Sequence, residues 1–282
     1  MSGRKHKSKL KKVVYTLLSF VLAVLLTVLA AASALQFTLL SESFLINNIE
    51  STNYVREKKA EIATSLTDLG YATGLEEEFF EDLLDEVMIH DDMTEYIHNY
   101  YTGEGSVVDK TAFIQTFNTA LDEYIKKKNI DPNTVSADSR NYLIDRAANI
   151  YKESLEIPFF NKFAGKFQNL KTIVPFVIIV CLLLSALLCA IFVLSTRWKH
   201  RAAKYICYAT STAFLTTAVM PLILFLSRKA ETFNSASRAT YKLFVSCANN
   251  MLICILACSV FFLLASIALY IAYRKLYNEV TD

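Results

Sequence analysis

The chain has 282 residues, of which 54% are hydrophobic and 20% charged, and its formal net charge is +2. The apolar residues are gathered into long blocks, and a run of about 18 or more apolar residues indicates a helix that crosses a bilayer. This composition excludes an ordinary soluble domain. It also excludes a nucleic-acid-binding protein, because the soluble part has no basic stripe interleaved with aromatic residues.

The N-terminal tail, residues 1–12, is basic, and the uncharged block 13–40 follows it. This combination is typical of an uncleaved signal anchor or of a cleaved signal peptide, and Ala32-Ser33-Ala34 has the pattern of a cleavage site. The uncleaved anchor is favoured, because the apolar run before that site exceeds the usual core of a signal peptide. Both interpretations place the segment that starts at residue 42 on the other side of the membrane from the N-terminal tail.

The segment 41–172 is strongly acidic, with 24 of the 27 Asp and Glu residues but only 13 of the 29 Lys and Arg residues. Its apolar residues recur at helical spacing and predict amphipathic helices, with helix starts near Asp109 and at Ser136 or Asp138. The inward positions predicted in this way are Leu75, Phe79, Phe80, Leu83, Leu84, Val87 and Met88, then Phe113, Phe117, Leu121 and Ile125, then Tyr142, Leu143, Ala147, Ile150 and Tyr151. We therefore expect a helical domain without a sheet.

Three further apolar blocks complete an all-α integral membrane protein with four transmembrane helices and a helical extracytoplasmic domain inserted between the first and second. Counted over the tails and short loops, the side of the membrane that holds the N-terminus has 12 Lys and Arg residues and the opposite side has 4. Because Lys and Arg favour the cytoplasmic side of the cell membrane, the N-terminus is predicted to be cytoplasmic. The predicted order is a cytoplasmic tail (1–12), a span (13–40), the extracytoplasmic domain (41–172), a span (173–195), a cytoplasmic loop (196–204), a span (205–226), an outer loop (227–243), a span (244–272) and a cytoplasmic tail (273–282).

The densest feature of the acidic domain is the stretch from Glu76 to Glu95, which holds ten acidic residues and no Lys or Arg. It is interpreted as a solvated helix face, a docking surface for a basic partner, or a site for a hard cation, which would need six to eight converging oxygens. The EF-hand spacing is absent from this stretch, so the solvated face is favoured. The candidate docking surface consists of Glu76, Glu77, Glu78, Glu81, Asp82, Asp85 and Glu86.

Two histidines flank the end of this stretch, and on a helix Asp91, Glu95 and His98 lie on one face. That arrangement is compatible with a transition-metal site. Exposed or capping histidines are favoured instead, because His90 and His98 are eight residues apart and no other metal-ligand motif accompanies them. No metal and no cofactor is predicted.

Two basic loops are candidate contact surfaces. In the outer loop, Arg228, Lys229 and Arg238 are expected to contact either the acidic face or lipid headgroups. In the cytoplasmic loop, a partner protein could dock on four basic residues, which are Arg197, Lys199, Arg201 and Lys204.

The predicted spans contain no Asp, Glu, Lys, Arg or His. Ionisable groups at membrane depth are costly and mark function, and the hydroxyls of the third span have no buried base beside them. An enzyme is therefore not predicted. Ala209, Ala213 and Thr217 instead form a ridge of small residues that favours close helix packing.

The layout of tail, span, outer domain and three further spans resembles that of FtsX-type permease subunits. The resemblance is topological, and it implies a subunit that passes the work of a cytoplasmic ATPase to partners outside. The first hypothesis, however, is a non-enzymatic binding, sensing or scaffold protein that acts through its outer domain. Its expected partners are the lipid bilayer and another membrane or extracytoplasmic protein.

Overall fold

The computed structural model describes residues 2–71, 75–105, 107–130, 136–157, 160–196, 198–232 and 237–281. The fold is 89% helix, and the described residues include no strand. The helices are α1 (Ser2–Phe37), α2 (Glu42–Ser51), α3 (Tyr54–Tyr71), α4 (Glu77–Leu83), α5 (Glu86–Thr102), α6 (Thr111–Lys127), α7 (Ala137–Leu155), α8 (Phe160–Ser195), α9 (Lys199–Leu226) and α10 (Arg238–Thr281).

Four of these helices are long and apolar enough to cross a membrane. Their apolar parts are Lys11–Phe37, Phe163–Ser195, Lys199–Leu226 and Arg238–Glu279. About 20 residues of helix cross the hydrocarbon core of a bilayer, so each part is sufficient for a span. The prediction of an all-helical chain with four candidate membrane spans is confirmed to this extent.

The chain divides into two compact units. The apolar unit consists of Met1–Ser41, Asn169–Phe233 and Cys247–Asp282. The acidic unit consists of Glu42–Gln168 and Asn234–Ser246. Both α8 and α10 begin within the acidic unit and continue without a break into the apolar unit.

In the apolar unit, α9 packs along α1 through the predicted ridge of small residues. Ala209 is buried in a cluster with Leu22 and Ala23 of α1, while Ala213 is buried against Ala30 and against Phe262 of α10. Small side chains let helix backbones approach closely, and the resulting van der Waals packing is one source of helix attraction inside a membrane.

Polar side chains join the helices of the apolar unit at several depths. Ser19 donates a hydrogen bond to the carbonyl of Tyr205 over 2.8 Å. The hydroxyls of Thr27 and Thr216 lie 2.9 Å apart, and those of Ser211 and Ser266 lie 2.5 Å apart. Each such hydrogen bond between membrane helices contributes about 0.6 kcal/mol on average.

In the acidic unit, α3 lies at the centre and packs against α4, α5 and α7. Phe113 and Phe117 of α6 are fully buried, as their four-residue spacing predicts. Phe113 stacks on the ring of Tyr151 of α7, with centroids 4.3 Å apart, and Phe79 of α4 meets Phe117 edge to face. These aromatic contacts form the core of the unit.

The structure corrects three details of the predicted helices. The apolar run from Leu75 to Met88 forms two helices, because α4 ends at Leu83 and Asp85 caps α5 by accepting a hydrogen bond from the N–H of Val87. Val87 then points outward and is 63% exposed. Tyr142, predicted to face inward, is 71% exposed.

Candidate functional site

Four polar residues of α3 share one face of that helix. Their spacing is i, i+3, i+4 and i+7, which stacks the side chains over two helical turns. The residues are Tyr54, Glu57, Lys58 and Glu61. This face packs against the beginning of α10, residues 237–246. We call the assembly of these four α3 residues with residues 237–246 the α10 contact.

The carboxylate of Glu61 caps the N-terminus of α10. It accepts hydrogen bonds from the backbone N–H of Ala239, at 3.1 Å, and from the hydroxyl of Ser237, at 2.8 Å. Ser237 in turn accepts from the N–H of Thr240 at 3.1 Å, as an N-cap residue does. A carboxylate at this place satisfies donors that the helix cannot satisfy itself and also interacts favourably with the helix dipole.

Lys58 completes this network from inside the unit. Its side chain is only 7% exposed, and its ammonium donates to Glu61 over 2.9 Å and to Ser237 over 3.1 Å. The ammonium also lies 5.8 Å from the ring centre of Tyr54. Because a buried charge is stable only when it is paired, Lys58 depends on Glu61 and Ser237.

Glu57 holds α10 one turn further along. Its carboxylate lies 2.6 Å from the ammonium of Lys242 and 3.7 Å from the guanidinium of Arg238. The hydrogen bond from Lys242 is the main cause that lowers the pKa of Glu57. Burial opposes the ionisation of Glu61, but the hydrogen bonds from Ala239, Lys58 and Ser237 outweigh it, so the pKa of Glu61 is also lowered. Both carboxylates are charged at neutral pH.

A second assembly, the α8 contact, joins the end of α5 to the beginning of α8. It consists of Tyr96, Tyr100 and Tyr101 with Phe160, Phe167 and Gln168. The ring of Tyr100 stacks on Phe160 with centroids 3.8 Å apart, and Phe167 lies against both Tyr100 and Tyr101 at 4.7 and 5.0 Å. Burial raises the pKa of Tyr100 to about 12, so its hydroxyl stays protonated.

Gln168 of α8 satisfies the C-terminal carbonyls of α5. Its side-chain amide donates to the carbonyl of Tyr100 over 2.9 Å, which provides a partner that the helix end lacks. The chain then turns at Gly103, whose φ of +86° favours glycine. A Cβ at Gly103 would lie 3.2 Å from the amide nitrogen of Gln168, so glycine also makes room for this contact.

A further polar pair, partly buried, lies at the edge of the core. The hydroxyl of Tyr151 donates to the carboxylate of Asp92 over 2.5 Å. Burial raises the pKa of Asp92, and the hydrogen bond from Tyr151 opposes this change in part. The pair joins α5 to α7.

The acidic residues predicted as a docking surface lie on α4 and at the start of α5. Glu78, Asp82 and Glu86 are exposed, whereas Glu76 forms an ion pair of 2.7 Å with Lys128. Asp85 serves as the N-cap of α5. The side chains of Glu77 and Glu81 lie outside the described residues.

The two histidines have separate surroundings. His98 pairs with Glu42 at 3.1 Å, and His90 lies 3.4 Å from Asp91. In the part of the chain that the structure describes, no group of three His, Cys, Asp or Glu side chains could hold a metal ion.

Two basic residues of the predicted outer loop, Arg228 and Arg238, form ion pairs with residues outside the stretch from Glu76 to Glu95. Arg238 lies beside Glu57 of α3, and Arg228 lies 3.8 Å from Glu231 in its own loop. Lys229 begins a short 3₁₀ turn. Of the four basic residues in the predicted cytoplasmic loop, Lys199, Arg201 and Lys204 lie in the first turns of α9. Arg197 lies outside the described residues.

No protein-family model, no curated protein and no solved structure matches this chain. Its candidate site therefore rests on its own geometry. Sequence reasoning missed both contacts, although a signal was present for the first. One signal is the polar face of α3, which consists of Tyr54, Glu57, Lys58 and Glu61. The other is Ser237, a typical N-cap residue that precedes the last apolar helix.

Proposed function

We propose that this chain is a non-enzymatic membrane protein that binds or senses a partner through its acidic unit, which lies outside the cytoplasm. The four apolar helices and the excess of Lys and Arg in the tails and the short loop before α9 support this orientation, because positive residues favour the cytoplasmic side. The N-terminus and the loop before α9 are then cytoplasmic.

One observation carries the proposal. The first turns of two apolar helices are integral parts of the acidic unit, α10 through Glu61 and α8 through Tyr100. A partner that changes the packing of α3 or α5 therefore acts on helices that continue into the apolar unit. A ligand shifts the equilibrium between two conformations only by as much as its affinities for the two conformations differ. The contacts that hold α8 and α10 are places where two such conformations can differ in packing.

The polar groups of the α10 contact also favour a structural over a chemical role. Ser237 uses its single proton toward Glu61 and both of its lone pairs toward Lys58 and Thr240. A nucleophile or a general base needs a free position for a substrate, and the hydroxyl of Ser237 has none. Holding a helix is the role that the geometry supports best.

The topological resemblance to permease subunits leads to a different expectation at the cytoplasmic side. A coupled ATPase needs a docking segment, and α8 ends at Ser195 while α9 begins at Lys199, which leaves a link of three residues. So short a link offers little surface for a partner enzyme. We therefore place the binding role before the permease role.

Purification of the full chain from its own membranes in mild detergent tests the proposal. We expect an extracytoplasmic molecule to be recovered with it, and we expect Glu78→Gln with Asp82→Asn and Glu86→Gln to lower that recovery severalfold. Neutralising three other exposed carboxylates, with Asp68→Asn, Glu123→Gln and Glu153→Gln, is the matched control and should change little.

A different result would replace the proposal. If a cytoplasmic ATPase is recovered in equal amount with the chain, and its recovery depends on Lys199 and Arg201, the permease-subunit role is correct and the binding role of the acidic unit is wrong.

A further inference from the structure

We propose that one end of the apolar unit binds the headgroups of anionic phospholipids. This basic end carries two charged residues of α1, three of α9 and two of α10, which are Lys11, Lys12, Lys199, Arg201, Lys204, Arg274 and Lys275. The inference goes beyond the proposed function, because it concerns the bilayer and not the partner of the acidic unit.

Aromatic contacts bring the four helices of this end together. The ring of Tyr15 of α1 lies 6.2 Å from Phe192 of α8 and 5.5 Å from Tyr205 of α9. The hydroxyl of Tyr15 also lies 2.8 Å from that of Ser195, the last residue of α8. His200 of α9 meets the ring of Tyr277 of α10 at 5.7 Å. The basic residues therefore share one end of the unit.

Outside residues 41–172 the sequence is strongly basic, with 16 Lys and Arg residues. Outside residues 41–172 the sequence contains three acidic residues, Glu231, Glu279 and Asp282. Lys199, Arg201, Arg274 and Lys275 are all exposed. Clusters of Lys and Arg beside a membrane helix attract anionic lipid, by about fivefold in affinity for each charge.

The aromatic residues of this end suit the headgroup layer. Trp198 and Tyr277 are 40% and 47% exposed, and amphipathic rings favour the boundary between water and hydrocarbon. The ammonium of Lys204 lies 5.6 Å from the ring centre of Tyr208, one turn further along α9.

The opposite end of α9 is a natural control. Arg228 and Lys229 follow the last turn of this 28-residue helix, and both are exposed. Arg228 already pairs with Glu231 at 3.8 Å. The two ends therefore allow the same number of charges to be removed from the same helix, and the larger loss of lipid binding is expected at the basic end.

The test is native mass spectrometry of the full chain in micelles that hold equal amounts of phosphatidylglycerol and phosphatidylcholine. The unaltered chain should retain phosphatidylglycerol in preference. Lys199→Gln with Arg201→Gln should lower that retention about fivefold for each charge removed. Arg228→Gln with Lys229→Gln should lower it less than this, and the charge-preserving pair Lys199→Arg with Arg201→Lys should leave it unchanged.

Three results would overturn the inference. The first is equal retention of both lipids by the unaltered chain. The second is full retention of phosphatidylglycerol after Lys199 and Arg201 are neutralised. The third concerns the charge-preserving pair. Because the charge-preserving pair changes the same positions, a loss seen in both pairs would assign the effect to altered packing and would also count against headgroup recognition.

Discussion

Replacing Glu61 with alanine is expected to weaken the α10 contact by about 2 to 3 kcal/mol. The substitution removes the acceptor of the Ala239 N–H and leaves the buried ammonium of Lys58 without its carboxylate. A buried charge without a partner costs more free energy than the hydrogen bonds alone. Hydrogen–deuterium exchange of the full chain in a bilayer disc should then be about 30-fold faster at the start of α10.

The matched control for this substitution is Asp68→Ala. Asp68 is an exposed carboxylate two turns further along α3, and its loss should leave exchange at residues 238–246 unchanged. A second comparison uses the double variant Lys58→Met with Glu61→Gln. Removing both charges should restore much of the protection, since the unpaired ammonium is then gone. Equal exchange in Glu61→Ala and in the unaltered chain would mean that this contact does not hold α10.

Lowering the pH provides a second test of the α10 contact. The pKa values of Glu57 and Glu61 are lowered in the folded chain from their ordinary value of 4.5. Their contribution to stability is therefore fully present above pH 4.5 and is lost as the pH falls through the lowered values. Exchange at the start of α10, corrected for its intrinsic rate, should rise in that acidic range, and much less so in Glu61→Ala.

Replacing Tyr100 with alanine is expected to destabilise the acidic unit by about 3 to 5 kcal/mol. Tyr100 is only 5% exposed, and its ring fills the space between Phe160 and Phe167 at the start of α8. Truncation removes both ring contacts and leaves a cavity. Limited proteolysis of the full chain should then cut near residue 160 under conditions in which the unaltered chain resists.

Tyr142→Ala is the matched control for Tyr100→Ala. The chemical change is the same, but Tyr142 is 71% exposed on α7, so its loss should change the stability by no more than about 0.5 kcal/mol. If the two variants are cut equally, the ring of Tyr100 does not hold the start of α8, and the α8 contact has no mechanical role.

Hydropathy alone predicted the four apolar helices, because a bilayer requires long uncharged helices whatever surrounds them. Local spacing also predicted the buried face of α6, where Phe113 and Phe117 recur every four residues. Tertiary packing decided the position of Tyr142, which continues the apolar pattern of α7 yet lies outside the core. The break at Asp85 is local, because its carboxylate accepts a hydrogen bond from the N–H of Val87 and so begins α5.

Helices α8 and α10 begin before the predicted spans 173–195 and 244–272, which were predictions of membrane-crossing segments and not of helix starts. Hydropathy marks where a helix becomes apolar, not where it starts, so polar first turns such as Arg238 to Lys242 are assigned to loops. Glu61 and Ser237 are 176 residues apart in sequence. No local pattern pairs them, because their contact depends on how α3 and α10 meet in the folded unit.

The most direct measurement of the central claim is cysteine labelling on intact cells, since the six natural cysteines all lie between Cys181 and Cys258. One variant, Tyr142→Cys, places a thiol on the acidic unit, and another, Lys199→Cys, places one at the basic end. The expected result is that a membrane-impermeant maleimide labels Tyr142→Cys beyond the unaltered chain, and labels Lys199→Cys only after the cells are opened. Labelling of Lys199→Cys in intact cells, with none of Tyr142→Cys, would contradict the account by placing the acidic unit in the cytoplasm.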